Sequence, residues 1–273
     1  MNAKERNADS PARLSNRNRA AMRAARQTLA LLAGILCLSL PSFANQDIFQ
    51  KTYALQPGGC LLLENVNGSV HVDGWDRDEV EVYAVKTAEN DPRDTDQVQI
   101  EVESHPGQVV VHTRYPKGAG AEVAVEYHVH VPYRVLLGNI KTVNGSVLVR
   151  GVKGGGDLHS VNGNVEVTNS SGRFNARTTN GDLHLELRQV LDGAPMNLET
   201  VNGSVELGLP SDAHGNLKVL EMNGDFYSEL PVTPSLGPQA SRSFHAKLGE
   251  GGGDISVRTV NGAIRLVREH PGV

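Results

Sequence analysis

From residue 60 onward, apolar and polar side chains alternate in short runs, and the runs are punctuated by one dipeptide. Asn-Gly occurs seven times: Asn67-Gly68, Asn144-Gly145, Asn162-Gly163, Asn180-Gly181, Asn202-Gly203, Asn223-Gly224 and Asn261-Gly262. Three residues after each asparagine stand Val70, Val147, Val165, Leu183, Val205, Phe226 and Ile264. Five after stand Val72, Val149, Val167, Leu185, Leu207, Ser228 and Leu266. The residues between them are mostly polar. Four before each asparagine come Leu63, Ile140, Leu158, Ala176, Leu198, Val219 and Val257. Six before come Leu61, Gly138, Gly156, Phe174, Met196, Leu217 and Ile255. This is period two, one face inward and one outward, on both sides of a corner. Each unit therefore reads strand, Asn-Gly corner, strand, second corner.

The spacings between asparagines are 77, 18, 18, 22, 21 and 38 residues, the last close to two periods of 19. Length changes fall at the second corner and never at the Asn-Gly corner, as expected of a repeat array with insertions on one edge. The unit predicts an all-β parallel β-solenoid (single-stranded β-helix) of 18–22 residues per rung. An antiparallel β meander or sandwich is the alternative, because Asn-Gly also suits a type I′ hairpin. The asparagine itself separates the two. A hairpin accepts Asp-Gly or Gly-Gly, whereas stacked asparagines can bond their amides from rung to rung. The residue before it (Val66, Val143, Val161, Thr179, Val201, Met222, Val260) is expected to bend towards the interior.

Residues 73–133 break the register but carry alternating runs at 79–85, 98–102, 109–111 and 123–131. They predict a β-rich N-terminal section that starts the stack and covers its open edge. At the other end of the sequence, basic residues precede an apolar run from Leu29 to Leu40, followed by Ser42-Phe43-Ala44. That is the pattern of a secretory signal cleaved after Ala44, and the run is short for a membrane span. The expected organisation is a signal over 1–44, the β-rich section with the first repeat over 45–137, and the Asn-Gly solenoid over 138–273. The mature chain has no membrane span and is placed in the periplasm, at the cell surface or outside the cell.

Charge changes with the signal removed. Residues 45–273 keep 19 of the 26 Lys/Arg and 29 of the 31 Asp/Glu, a net of −10 against −5 for the whole chain. That argues against nucleic acid as a partner. Of the two cysteines only Cys60 remains, beside Leu61-Leu62-Leu63, where a buried and inert thiol is expected.

The segments Val66-Asn67-Gly68-Ser69-Val70, Gly74-Trp75-Asp76 and Asp78-Glu79-Val80-Glu81-Val82, with the serial Val-Asn-Gly-Ser-Val units from Val143 to Val205, resemble a bacterial family of "putative adhesins" with β-strand repeats, a domain of unknown function. The resemblance implies an exported β-helical envelope or surface protein. It implies no catalytic residues.

The chemistry on offer is sparse. Trp75 with Asp73, Asp76, Asp78 and Glu79 is the candidate binding cluster: a ring can cover the apolar face of a sugar while carboxylates take its hydroxyls. The same tryptophan could instead close the end of the core. His128 and His130 share a strand face, with His112 expected on a neighbouring strand, but no Cys, Asp or Glu completes a metal-ligand spacing. The runs Gly154-Gly155-Gly156-Asp157 and Gly251-Gly252-Gly253-Asp254 read as corner turns. Ser69, Ser146 and Ser204 recur after the Asn-Gly corner, which marks them as architecture. No catalytic residue, metal or cofactor is expected. The function expected is a non-enzymatic binding or scaffolding module whose partner is a protein or glycan of the envelope. Alternatives are a polysaccharide-acting enzyme, which needs carboxylates clustered beyond Glu166 and Glu206 flanking His184, or a partner of an envelope stress-sensing system.

Overall fold

A computed structural model describes residues 46–116, 123–190, 195–235 and 243–269. The expected export signal lies outside the described residues. The N-terminal strands are β1 (Gln46–Ala54), β2 (Cys60–Glu64), β3 (Val70–Trp75), β4 (Glu79–Ala88), β5 (Gln99–His105), β6 (Gln108–Arg114) and β7 (Val123–Pro132). The middle of the chain gives β8 (Leu136–Lys141), β9 (Val147–Arg150), β10 (Gly156–His159), β11 (Val165–Ser171), β12 (Phe174–Arg177), β13 (Leu183–Gln189), β14 (Met196–Glu199) and β15 (Val205–Leu209). The last are β16 (Gly215–Asn223), β17 (Phe226–Ser228), β18 (Val232–Pro234), β19 (Ser243–Leu248), β20 (Asp254–Asn261) and β21 (Ile264–Arg268).

These strands form two sheets. One runs β1-β4-β7-β3-β9-β11-β13-β15-β21-β17, the other β18-β19-β16-β20-β14-β12-β10-β8-β2-β6-β5. Each Asn-Gly unit puts its first strand in the second sheet and its second strand in the first. Successive units pair in parallel, for example Val147↔Val165↔Leu183↔Val205. The β-solenoid is therefore the architecture, and the meander is not. The inward columns close the space between the sheets with valine and leucine: Val70, Val147, Val165, Leu183, Val205 and Ile264 are all buried, as are Leu63, Ile140, Leu158, Ala176, Leu198, Val219 and Val257.

Four ladders of hydrogen bonds run through the corner. In the order Asn67, Asn144, Asn162, Asn180, Asn202, Asn261, Asn223, the Nδ2 of each asparagine after the first donates to the Oδ1 of the one before it at 2.8 Å. The glycine N–H donates to the asparagine carbonyl of the neighbouring rung at 2.8–3.1 Å. Side chains two residues before the asparagine (Thr142, Ser160, Thr178, Thr200, Thr259) donate to glycine carbonyls at 2.8–2.9 Å. Side chains of Ser69, Ser146, Asn164, Asp182 and Ser204 accept from the backbone N–H one rung on.

Three details depart from the sequence reading. The residue before the asparagine does not bend inward: Val66, Val161, Val201 and Met222 are exposed, and the buried position is the Thr/Ser column one step earlier. A buried hydroxyl is tolerated there because each has a carbonyl to bond. Second, Leu137 and not Gly138 fills the inward site. A bulge between Leu61 and Leu62 in the pairing with β8 shifts the register, and Gly138 leaves room for the Cys60 sulfur. Cys60 is half-buried, and burial pushes its thiol pKa up. Third, rungs do not follow chain order at either end. β6 and β7 make a rung outside the Asn67 rung, and the Asn261 rung inserts between those of Asn202 and Asn223. The 38-residue spacing is thus an outward excursion and return, not a skipped period.

Antiparallel strands finish the stack. β4 pairs with β7 and β1 with β4, while β5 pairs with β6 and, at the far end, β19 with β16. The β6–β7 rung lacks an Asn-Gly corner. There the Asn65 Nδ2 donates to the Val125 carbonyl at 2.8 Å, and the Tyr115 hydroxyl to that of Val123 at 3.1 Å. Tyr127, the largest fully buried side chain, shares a 2.7 Å hydrogen bond with Thr113.

The corner glycines are needed for close approach. A Cβ on Gly163 would fall on the Gly145 carbonyl, and one on Gly181 on that of Gly163. Asn162→Ala, which removes two ladder bonds, is expected to cost about 1–2 kcal/mol in urea unfolding. Asn223→Ala, at the ladder's end, is expected to cost about 0.5–1 kcal/mol. Gly163→Ala, which pushes two rungs apart, is expected to cost about 1–3 kcal/mol.

Candidate functional site

Period two leaves each sheet an outward face, and the two differ. On the first sheet, β4, β7 and β3 bring Tyr83, His128 and His71 into one cross-strand row. The His71 and His128 rings stack at 4.7 Å and 21°. His130 stacks on Trp75 at 5.1 Å and 17°, and its Nδ1 lies 3.3 Å from a Glu81 carboxylate oxygen.

The candidate cluster from the sequence is dispersed over this face and the adjoining turn. Asp73 stands in register with His130 and Arg150, in a shallow pocket with His71 and Glu166. Trp75 also points outward, so it does not close the core. Its ring carries His130 and the Arg77 guanidinium, 4.8 Å from the ring centre, and its Nε1 donates to the Glu79 carbonyl at 2.8 Å. The ring is thus already occupied by protein groups. Asp76 and Asp78 are exposed on the turn, and Asp78 lines a separate pocket beside Leu55, Pro57 and His105. His112 is on the opposite sheet from His128, paired with Glu64 at 3.3 Å. His184 Nδ1 lies 3.3 Å from Glu206, with Glu166 next in the row and no third carboxylate.

The second sheet carries a groove of about 420 Å³ over its middle rungs. Two columns line it. One holds Asp157, Asn175, Asn197, Ser256 and Lys218; the other holds His159, Arg177, Glu199 and Arg258. The Asn175 amide donates to Asp157, and its Oδ1 accepts from the Asn197 N–H at 3.0 Å. Arg177 Nη2 is 2.9 Å from Glu199, and Arg258 Nη1 3.9 Å from the same carboxylate. Burial, then the nearby Arg177, lowers the His159 pKa, with Asp157 opposing. Both carboxylates of the groove therefore already hold a protein partner, and the floor is a set of stacked hydrogen-bonding groups.

The sequence reading passed over this groove, although the repeat alignment contains it. Five residues before each asparagine stand Leu62, Asn139, Asp157, Asn175, Asn197, Lys218 and Ser256. Three before stand Glu64, Lys141, His159, Arg177, Glu199, Leu220 and Arg258. Outward columns on parallel rungs are rows in space. Among the described residues no group of three or more His, Cys, Asp or Glu is placed to hold a metal ion. No helix among them is long and apolar enough to cross a membrane.

Residues 135–267 match the family model described as Toastrack DUF4097. The match bears out the resemblance read from the Val-Asn-Gly-Ser-Val units, but it begins after Val66–Val70 and the Gly74-Trp75-Asp76 segment. Among solved structures, a "putative cell adhesion protein" from Clostridium sporogenes aligns with 81% of this chain and 100% of its own at 13% identity, with a TM-score of 0.47. A "putative adhesin" from Bacteroides fragilis aligns over 81% and 97% at 11% identity and a TM-score of 0.38. A "putative lipid binding protein" from Parabacteroides distasonis aligns over 81% and 97% at 11% identity and a TM-score of 0.34. No curated protein matches the chain.

The histidines make stability depend on pH. Burial, then the neighbouring His128, lowers the His71 pKa against the pull of Glu126, Asp73 and Glu166. Near pH 7 both folded and unfolded forms are neutral there. As pH falls through the ordinary histidine value of about 6.5, the unfolded chain takes up the proton first and stability is lost. The melting temperature is expected to fall from about pH 7.5 to about pH 5.5. Replacing His71 and His159 together by Gln is expected to flatten that limb. Trp75→Ala is expected to lower stability by about 1–2 kcal/mol through the lost ring contacts and indole hydrogen bond, measured by urea unfolding.

Proposed function

We propose that the protein is an exported module of the envelope or cell surface that binds an extended glycan along the groove of its second sheet, without catalysis. The observation that carries this reading is the stacked column Asp157, Asn175, Asn197 and Ser256. It offers hydroxyl-bonding groups on successive strands about 4.8 Å apart. A linear sugar chain lying across the strands would meet one polar group per rung. The corner ladders and the dry Val/Leu interior hold the rungs rigid, so little side-chain order remains to be imposed on binding. Export is supported by the basic, apolar and small-residue succession over 1–44.

Absence of chemistry is supported by the pairing within the groove. Glycosidic cleavage needs one carboxyl free to donate a proton and a second free to act as base or nucleophile. Here Asp157 is bonded to Asn175, and Glu199 sits between two arginines.

The test is a glycan array probed with residues 45–273, which hold every described element. Retention of one or more polysaccharides is expected, and Asn175→Ala with Asn197→Ala is expected to weaken it about tenfold or more. Trp75→Ala is expected to leave it unchanged. Retention of no glycan, or release of reducing ends from a bound one, would overturn the reading.

A further inference from the structure

The outward row next to the amide column shows a break in its charge pattern. Across neighbouring strands of the second sheet it reads Glu101, His112, Glu64, Lys141, His159, Arg177, Glu199, Arg258. Acid and base alternate at both ends. His112 pairs with Glu64, and Glu199 pairs with Arg177 and Arg258. In the middle, Lys141, His159 and Arg177 stand side by side on β8, β10 and β12. Like charges directly opposite on paired strands repel. Among the described residues no ion pair within 4.0 Å is formed by Lys141 or His159. His159 and Arg177 line the groove and Lys141 stands beside His159 on the next strand, in a chain whose residues 45–273 carry a net charge of −10.

Resting on the glycan reading, the geometry points to an acidic polysaccharide as the ligand, with a carboxylate or sulfate of the chain seated over Lys141, His159 and Arg177. A single anionic group there restores the alternation that the row keeps elsewhere. Neutral hydroxyls of the adjoining sugars fall on Asn175 and Asn197, one row away. Nucleic acid fits less well. No Phe, Tyr or Trp side chain lines the groove to stack a base.

The site also couples binding to protons. His159 faces Lys141 and Arg177 along the row, and Asp157 lies on its own strand. Burial, then Arg177 and more weakly Lys141, disfavour its imidazolium. A bound anion favours it, so binding raises the affinity of His159 for a proton.

The experiment is calorimetric titration of residues 45–273 with three polymers: dextran, polygalacturonate and dextran sulfate. Both acidic polymers are expected to bind more tightly than dextran. K141Q with R177Q is expected to weaken them by about ten- to a hundredfold, and dextran by far less. Arg265→Gln, on the other sheet, is expected to change nothing, and unchanged urea midpoints would show that the fold is intact. Dextran sulfate, whose charge is constant, is expected to bind more tightly at about pH 5.5 than at about pH 7.5, and His159→Gln is expected to abolish that difference. Equal binding of dextran and the acidic polymers, untouched by K141Q with R177Q, would overturn this inference and leave the glycan reading standing. Binding of no polysaccharide would overturn both. Single-stranded DNA binding as tightly as polygalacturonate, with the same dependence on Lys141 and Arg177, would overturn the acidic-glycan assignment.

Discussion

Along the repeat, rung is tied to rung at the Asn-Gly corner, and the parallel strands on either side continue that register. The asparagine amide carries a donor and an acceptor on a side chain short enough to stay over the backbone. Each Nδ2 reaches the neighbouring Oδ1 at 2.8 Å along the whole ladder. Aspartate would bring acceptors alone and a column of like charges; serine and threonine lack the second group at the right reach. The glycine beside it lets the carbonyl of one rung approach the α-carbon of the next. With the corner set, the strands on either side must run parallel and in register. The valine and leucine columns are then brought face to face, without needing large rings to fill the space.

That dependence explains how much was legible in the sequence. The period-two columns, the corner and the asparagine ladder could be read because they repeat, and each repeat is local. Rung order could not. Nothing in the spacing of Asn202, Asn223 and Asn261 says that the last returns between the first two, because that choice is made by β18 and β19 covering the edge of β16. The direction of Val66, Val161 and Val201 was misjudged for a different reason. Apolar type suggested an interior position, but the corner rotates the chain so that the preceding Thr/Ser, with a carbonyl to bond, takes it. Gly138 likewise hid a bulge, beside which a side chain would meet the Cys60 sulfur.

The candidate site was legible in part, and for an instructive reason. Attention goes to singular residues, and Trp75 is the only tryptophan in the chain. In space its ring is engaged by His130 and Arg77. The groove is built instead from positions that vary quietly from rung to rung: Asp157, Asn175, Asn197 and, beside them, His159, Arg177, Glu199. In a repeat scaffold the inward columns are bound to uniformity by packing. The outward columns are free to differ, and individuality there is what distinguishes one array from another.

The insertion of the Asn261 rung has a consequence for how the molecule comes into being. Ser256 and Arg258, which line the groove, sit on β20, near the end of the described chain, while Asp157 and His159 sit some hundred residues earlier on β10. During synthesis the Asn202 and Asn223 rungs are made one after the other, yet they have no shared edge to join until β20 and β21 arrive between them. A nascent chain can stack from Asn67 to Asn202 and must then wait. The last strands act as a keystone, so an unfinished copy has neither a closed stack nor a complete groove. The groove proposed to hold a glycan is complete only once β20 has joined the stack.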